Sequence, residues 1–374
     1  QKKTEAFYKT DVNDCATPVS TFDLDINNVR CKLMNGGDMW WDRGAQAARY
    51  EVPKSNPPSY TSSLNMLYAG AIWISGVDAG NNLKVAAQRY RASGDDFFAG
   101  PLNTNGETSK STCVKWDKHF SVYGKDIETV IQAYELAGGN PLPQSSIPTD
   151  VLRWPGKGNP VLESEGYDMS SVLAPFRDAN GDGIYDPTKG DYPTIYSSAY
   201  PAPDTLGAYA DQMVYWVMND AGNIHSESNG QAIGVQINSL AFAFKTTDEI
   251  NNMTFYRYNI TNKSSLSLQQ SYISQWSDPD LGNAADDYVG CDVSRRLAFV
   301  YNADNFDEAA NGVGGYGSQL PMGGIVFFEG PKDLNGKELG LTSFVYFNNE
   351  TSGARRDPSS AVEYRNYMSA RWLD

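Results

Sequence analysis

The sequence predicts a mainly β protein, built of antiparallel β-sandwich layers with a few short helices. Aromatic residues are abundant, with 23 Tyr, 15 Phe and 8 Trp among 374 residues, and these side chains favour strands. Short apolar segments are separated by turns rich in Asn, Asp and Gly, which are the residues that tolerate tight turns. Several segments alternate between apolar and polar residues, as half-buried antiparallel strands do.

The first predicted region, residues 1–200, combines strands with one helix and an acidic loop. Residues 66–75 and 83–91 predict a hairpin, because the residues between them are rich in Gly and Asn. A helix is predicted over Ile127–Tyr134, where apolar residues recur at helical spacing after an acidic start and before two glycines. We expect the apolar side of this helix to cover a sheet.

The second predicted region, residues 201–374, is a β-sandwich domain that follows a linker at Pro201–Pro203. Its apolar segments are short and bounded by turn residues, which favours strands over helices. The predicted strands are 213–218, 233–237, 240–244, 253–260, 297–301 and 343–347.

The charge of the chain limits its partners. Lys and Arg total 30, Asp and Glu total 45, and the net charge is −15. A surface this acidic repels phosphate backbones, so we expect no nucleic-acid partner. The sequence has no run of 18 or more apolar residues, so it also predicts no transmembrane segment.

The sequence offers little for catalysis, and we predict that the chain is not an enzyme. Its two histidines, His119 and His225, are far apart and lack the spacing of a metal site. Motifs for a serine nucleophile or a phosphate-binding loop are absent. A secreted glycan or peptide hydrolase is an alternative that would need two carboxylates facing each other across a cleft.

The cysteines are compatible with one or two disulfides. Four residues, Cys15, Cys31, Cys113 and Cys291, allow three pairings. Cys15 and Cys31 are close in sequence, so a disulfide between them is one expectation. Cys113 and Cys291 are then either paired or reduced.

The clearest motif is residues 178–186, DANGDGIYD, which has the form D-x-N-x-D-G-x-x-D of an EF-hand-type calcium loop. Calcium prefers six to eight oxygen ligands, and this spacing brings side-chain oxygens and one backbone carbonyl to a single point. Position 12 is Lys189 in place of the usual Glu, and Asp191 is the nearest acid that could supply the missing oxygen. The predicted Ca²⁺ ligands are Asp178, Asn180, Asp182, Ile184 through its carbonyl, Asp186 and Asp191.

A second acidic cluster follows at residues 278–292. So many carboxylates cannot remain close together without neutralisation, so they either bind a second metal ion or separate into solvent. The candidate ligands of this second site are Asp278, Asp280, Asn283, Asp286, Asp287 and Asp292.

Several stretches together resemble one group of proteins. They are NGGDMWW (35–41), AIWISGV (71–77), AAQRYRASGDDFFAGPL (86–102), LAPFRDANGDGIYDPTKGDYP (173–193) and WSDPDLGNAADDYVGCD (276–292). They resemble extracellular proteins of Bacteroidota that are typically exported by the type IX secretion system, among them cell-surface, adhesive and gliding-motility proteins. The resemblance implies a signal peptide before Gln1, and further β-domains with a C-terminal sorting domain after Asp374.

These observations lead to one functional expectation and two alternatives. We expect an extracellular, calcium-stabilised structural or adhesin module of the cell surface. Its partners would be other surface proteins or glycans, in an assembly with export or outer-membrane machinery. The alternatives are the hydrolase and a glycan-binding module, which would expose Trp40, Trp41 or Trp154 in a cleft.

Overall fold

The computed structural model describes residues 13–59, 63–91, 93–171, 173–196, 207–310, 313–333 and 335–373. The earlier strands are β1 (Thr21–Leu24), β2 (Arg30–Met34), β3 (Asp38–Met39), β4 (Trp41–Asp42), β5 (Ala47–Ala48), β6 (Tyr50–Glu51), β7 (Asn65–Val77), β8 (Leu83–Ala87) and β9 (Phe98–Ala99). The later strands are β10 (Phe120–Tyr123), β11 (Phe176–Arg177), β12 (Tyr192–Pro193), β13 (Gln212–Asn219), β14 (Val235–Ala243), β15 (Phe255–Asn262), β16 (Gln269–Pro279), β17 (Asp287–Asp292), β18 (Leu297–Asn302) and β19 (Met322–Val326).

The helices are short, and none of those described is long and apolar enough to cross a membrane. The α-helices are α1 (Lys110–Trp116), α2 (Gly124–Leu136), α3 (Thr149–Leu152), α4 (Pro160–Ser164) and α5 (Ala361–Met368). Single 3₁₀ turns lie at Gln144–Ser146, Pro187–Lys189, Glu249–Asn252 and Ala284–Asp286.

Two antiparallel sheets stack face to face, so the predicted fold class is confirmed. The first sheet has the order β1-β2-β3-β7-β16, with β6 and β8 also paired to it. The second has the order β10-β13-β14-β15, with β9 paired to β13. Side chains of both sheets share the core between them: Leu33 and Trp40 of the first pack with Trp216 and Ala241 of the second. A separate small sheet has the order β17-β18-β19.

The central strand β13 is buried on both faces. Met213, Tyr215 and Val217 belong to the core on one side, while Val214 and Trp216 belong to the core between the sheets. Successive side chains of a strand point to opposite faces, so further layers must cover the outer side of this sheet. Helix α2 and the loops around it supply that cover.

The outer face of the first sheet is covered by the C-terminal segment. The ring of Trp73 stacks on Trp276 at 6.1 Å and meets Tyr364 of α5 edge-on at 4.9 Å. The Trp73 indole N–H donates to the carbonyl of Gln88 at 2.7 Å. These contacts bury α5 against β7 and β8.

Most elements match their predictions. The predicted helix lies within α2, and the predicted hairpin is the antiparallel pair β7 and β8. The prediction of a strand at 343–347 is wrong: this segment has no ladder partner, and Phe347 instead stacks on Tyr367 at 4.6 Å. The predicted linker at Pro201–Pro203 lies outside the described residues. Both large sheets combine strands from either side of it.

Gly70 explains how the paired tryptophans enter the core. A Cβ at Gly70 would lie 2.3 Å from the ring of Trp40, so only glycine in β7 leaves room for that ring. Trp40 donates its indole N–H to the hydroxyl of Tyr256 at 2.7 Å, and Trp41 donates to Asp38 at 2.9 Å. Both indole N–H groups therefore keep a hydrogen-bond partner although the rings are buried.

The disulfide joins Cys15 to Cys113, which are 98 residues apart. The expected pairing of Cys15 with Cys31 is wrong: Cys31 is a buried free thiol in the inter-sheet core, and Cys291 is exposed and free. Cys31 lies on β2 inside a sheet, whereas Cys15 lies outside it beside α1. The bond ties the N-terminal segment to α1.

Removing this disulfide should destabilise the protein. Closing a loop of 98 residues restricts the unfolded chain, so the double variant Cys15→Ser/Cys113→Ser should lose about 3 kcal/mol of unfolding free energy. Urea unfolding measures the loss. Cys291→Ser is the matched control and should unfold like the wild type; an equal loss in both variants would contradict this prediction.

Candidate functional site

The predicted calcium loop is a closed structure. Strands β11 and β12 pair on either side of it, with Phe176 opposite Pro193. Tyr185 anchors the loop from within: it is fully buried, and its hydroxyl donates to the carbonyl of Val151 at 2.6 Å. Ile184, by contrast, is 44% exposed. The loop thus stands on the helical layer with its acidic side outward.

The chain wraps around the carboxylate of Asp178. Its two oxygens accept the backbone N–H groups of Gly181 at 2.7 Å and Gly183 at 2.8 Å. Both glycines have φ of +75°, a conformation that other residues adopt at a cost. The chain therefore bends sharply at Gly183, which is position 6 of the motif.

Asn180 and Asp182 form the exposed side of the loop. The amide of Asn180 donates to Asp182 at 2.8 Å, and Asp182 accepts the N–H of Ile184 at 2.9 Å. The hydrogen bond from Asn180, together with that from Ile184, lowers the pKa of Asp182. Asp182 is therefore held as a carboxylate.

Asp191 pulls the two arms of the loop together. It is fully buried, and its oxygens accept the N–H groups of Ala179 and Asp186, each at 2.8 Å. Burial raises its pKa to about 6; these hydrogen bonds oppose the shift, while the nearby charge of Asp178 adds to it. Asp191 is therefore in reach of the loop, as the sequence predicted, and it already has a structural role there.

Lys189 supplies a positive charge at the mouth of the loop. Its ammonium lies 3.2 Å from an oxygen of Asp182 and 3.4 Å from one of Asp186. The position that carries Glu in the usual calcium loop thus carries an internal cation here. Any metal ion in the loop has to compete with it.

The donor chemistry of the loop fits calcium, although the carboxylates are not gathered around one point. Carboxylate, amide and backbone carbonyl oxygens are the hard ligands that Ca²⁺ prefers. Among the described residues, however, no three His, Cys, Asp or Glu side chains lie close enough to hold a metal ion. Residues of the loop that would hold calcium are Asp178, Asn180, Asp182, Asp186 and Asp191, with the carbonyl of Ile184.

The second acidic cluster is divided by the structure. Asp292 lies at the far end of β17 from Asp287, about 17 Å away along the strand, and pairs there with Arg295. Asp278 accepts a hydrogen bond from the hydroxyl of Tyr90. Asp292 is therefore wrongly grouped with the rest, because β17 carries it away from the turn.

The remaining acids stay together around the turn between β16 and β17. Burial raises the pKa of Asp280 to about 8 and that of Asp287 to about 7. Sequence reasoning missed two neighbours, Asp307 and Asn302. Asp307 is 2% exposed and accepts the N–H groups of Asn283 and Tyr316. Asn302 lies opposite Asp287 only because of the strand register.

Comparison with family models, with curated proteins and with solved structures found no match for this chain. The resemblance to exported Bacteroidota proteins therefore stays a prediction.

The geometry gives little support to the two alternatives. Trp40, Trp41 and Trp154 are all buried, so they offer no platform for a glycan. Two surface depressions of the described residues are each lined by a single carboxylate, Asp14 in one and Asp150 in the other. A hydrolase of the paired-carboxylate type needs two.

His225 is a structural cation. Its ring nitrogens lie 2.7 Å from the carbonyl oxygen of Val85 and 2.6 Å from that of Asp220. Both nitrogens must carry a proton to donate to two carbonyls, so the ring is an imidazolium. Burial alone would lower its pKa, but the carboxylates of Asp96 and Asp220, each 3.7 Å away, raise it.

Stability should therefore fall at alkaline pH because of His225. A raised folded pKa gives a contribution that is fully present below the ordinary value of 6.5 and is lost as the pH rises through the folded value. His225→Gln should lose about 3 kcal/mol near neutral pH and should show less of this alkaline decline. Urea unfolding between about pH 6 and 9 measures both effects.

His119 provides the control. It is also buried, but burial lowers its pKa to about 3, so it is neutral over this range. His119→Gln should keep the alkaline decline of the wild type. A decline that is equally steep in His225→Gln would contradict the assignment of the imidazolium.

Lys189 should compete with calcium for the loop. Lys189→Gln removes a positive charge beside Asp182 and Asp186, so calcium should bind about fivefold more tightly to this variant. Calorimetric titration with CaCl₂ measures the affinity. Lys332→Gln is the matched control, because Lys332 pairs with Glu329 outside the loop. Equal calcium affinities in the two variants would show that calcium does not bind in the loop.

Proposed function

We propose that this chain is a secreted, calcium-stabilised structural or adhesive module of a cell surface. The observation that carries the proposal is the loop of residues 178–191. It combines a D-x-N-x-D-G-x-x-D sequence with a bend at Gly183 and an outward-facing acidic side. Extracellular calcium is abundant enough to occupy even weak sites of this kind.

Two further features support an extracellular location. The disulfide between Cys15 and Cys113 is of the kind that persists in oxidising compartments. The net charge of −15 favours solubility and attracts cations. Export through a type IX system, and a place in a gliding or surface assembly with other proteins or glycans, extend the proposal on the sequence resemblance alone.

The role proposed for calcium is mechanical. The loop joins two short strands that lie on the helical layer, and its acids repel each other. A bound cation would offset this repulsion and hold Asp178, Asp182 and Asp186 in one arrangement. The helical layer that covers β13 would then be fixed on its outer side.

Thermal unfolding with CaCl₂ and with EDTA, together with metal analysis of the purified protein, tests the proposal. At a calcium concentration a hundred times Kd, binding adds about 2.7 kcal/mol, which raises Tm by a few degrees. Asp178→Asn should remove the part of this calcium-dependent rise that comes from the loop, because it takes a carboxylate out of the ligand set. In EDTA it should be somewhat less stable than the wild type, because Asn keeps only one of the two oxygens that accept the N–H groups of Gly181 and Gly183; the readout is therefore the difference in Tm between CaCl₂ and EDTA for each protein.

Asp333→Asn is the matched control. Asp333 also accepts two backbone N–H groups of an exposed turn, from Asn335 and Lys337, each at 2.8 Å, but it lies outside any calcium motif. This variant should keep the full rise in Tm. A wild type without bound calcium and without a shift would overturn the proposal.

A further inference from the structure

Five polar atoms near the start of β17 are buried and unpaired. They are both carboxylate oxygens of Asp286, Oδ1 of Asp287, and Oδ1 and Nδ2 of Asn302. None of them is accessible to solvent or has a hydrogen-bond partner among the described residues. Burying polar groups unpaired is costly, so five such atoms in one place call for a partner from outside the chain, either water or an ion.

The strand register brings these side chains together. Asp287 and Asn302 are directly opposite each other in the ladder of β17 and β18, so they point to the same face with Cβ atoms about 5 Å apart. The backbone carbonyl of Asp286 accepts the N–H of Ala303 at 2.7 Å, so the backbone of Asp286 lies next to β18, and the carboxylate of Asp286 is near enough to add to the effect of burial in raising the pKa of Asp287. Asn302 is only 8% exposed.

Asn302 does not neutralise its neighbours by itself. Although it lies next to Asp287, its amide makes no hydrogen bond to either carboxylate. The amide and the two carboxylates therefore lie near each other without a direct hydrogen bond between them.

The charge around these five atoms is negative and uncompensated. Burial raises the pKa values of Asp280, Asp286 and Asp287. The charge of Asp307 adds to the shift at Asp286 and Asp287, and the charge of Asp287 adds to the shift at Asp280. In the part of the chain that the structure describes, no Lys, Arg or His forms an ion pair with Asp280, Asp286, Asp287 or Asp307. This contrasts with the loop of residues 178–191, where Lys189 supplies a cation.

We propose that a calcium ion binds between the carboxylates of Asp286 and Asp287 and the Oδ1 atom of Asn302. Two carboxylates and one amide, completed by water, supply the hard oxygens that calcium requires. Such a ligand set agrees with the lack of three clustered acids in the described residues. It places the affinity in the weak range of extracellular calcium modules, about 10⁻⁴ to 10⁻³ M.

An ion at this position would connect two parts of the fold. The turn that precedes β17 is joined to β7 of the first sheet, because the N–H groups of Asp280 and Gly282 donate to the carbonyls of Met66 and Asn65. An ion at Asp287 would link this turn to β18. Calcium would thus fix the small sheet β17-β18-β19 on the large one, independently of the loop of residues 178–191.

Calcium titration in a loop variant tests the site separately. Calorimetry with CaCl₂ alone is carried out on Asp178→Asn, on Asp178→Asn/Asp287→Asn and on Asp178→Asn/Asp292→Asn. The first should retain one weak calcium, the second should bind it at least tenfold more weakly, and the third should match the first. Asp292 is the control because it lies on the same strand but pairs with Arg295 in solvent.

If Asp287→Asn fails to fold, the variant Asn302→Asp tests whether calcium binds at this site. A third carboxylate should tighten calcium binding about tenfold, and it should lower Tm in EDTA more than in CaCl₂. A site that holds only water would instead show the same fall in Tm under both conditions. Absence of calcium binding up to about 10 mM in Asp178→Asn, or binding unaffected by Asp287→Asn, would overturn the proposal.

The outcomes also separate the two calcium sites. If the loop of residues 178–191 does not bind calcium, the wild type and Asp178→Asn should bind one ion equally, and Asp287→Asn should abolish that binding. If the site at Asp287 does not bind calcium, Asp178→Asn should bind no calcium ion, while the wild type should still bind one in the loop.

Discussion

The structure depends on burying both faces of two stacked sheets. β13 has apolar side chains on each side, and β7 does the same with Trp73 outward and Ile72 inward. A strand of this kind has no face for water, so each sheet needs a second cover. Helix α2 and its loops cover one side, and the C-terminal segment with α5 covers the other. The four-layered arrangement follows from this requirement.

The outer layers consist largely of irregular chain, and buried acids hold that chain in place. Backbone N–H groups outside helices and strands need other partners when they are buried. Asp220 accepts three of them, from Ile233, Gly234 and Val235, and Asp96 and Asp191 act in the same way. The imidazolium of His225 compensates two of these carboxylates. Part of the acidic composition is therefore structural, in addition to any part that binds cations.

The acidic sites differ in how their charge is balanced. At the loop of residues 178–191 a lysine of the chain lies among the carboxylates. At Asp287 the described residues offer no such cation, and an amide lies opposite with both polar atoms unpaired. Calcium would therefore have to displace the ammonium of Lys189 at the first site. At the second site it would supply a partner for polar atoms that have none among the described residues. On this view the two ions stabilise different layers, the helical cover and the small sheet.

The sequence by itself determined the elements whose causes are local. Apolar spacing located α2, a continuous apolar run located β13, and alternation located β15, because each of these patterns is set by neighbouring residues. Tertiary structure alone decided which distant residues meet. Cys15 joins Cys113 because the N-terminal segment lies against α1. Residues 343–347 form no ladder, and Phe347 packs its ring on Tyr367 instead. Asn302 faces Asp287, and Asp292 does not, because of strand register, which no local pattern encodes.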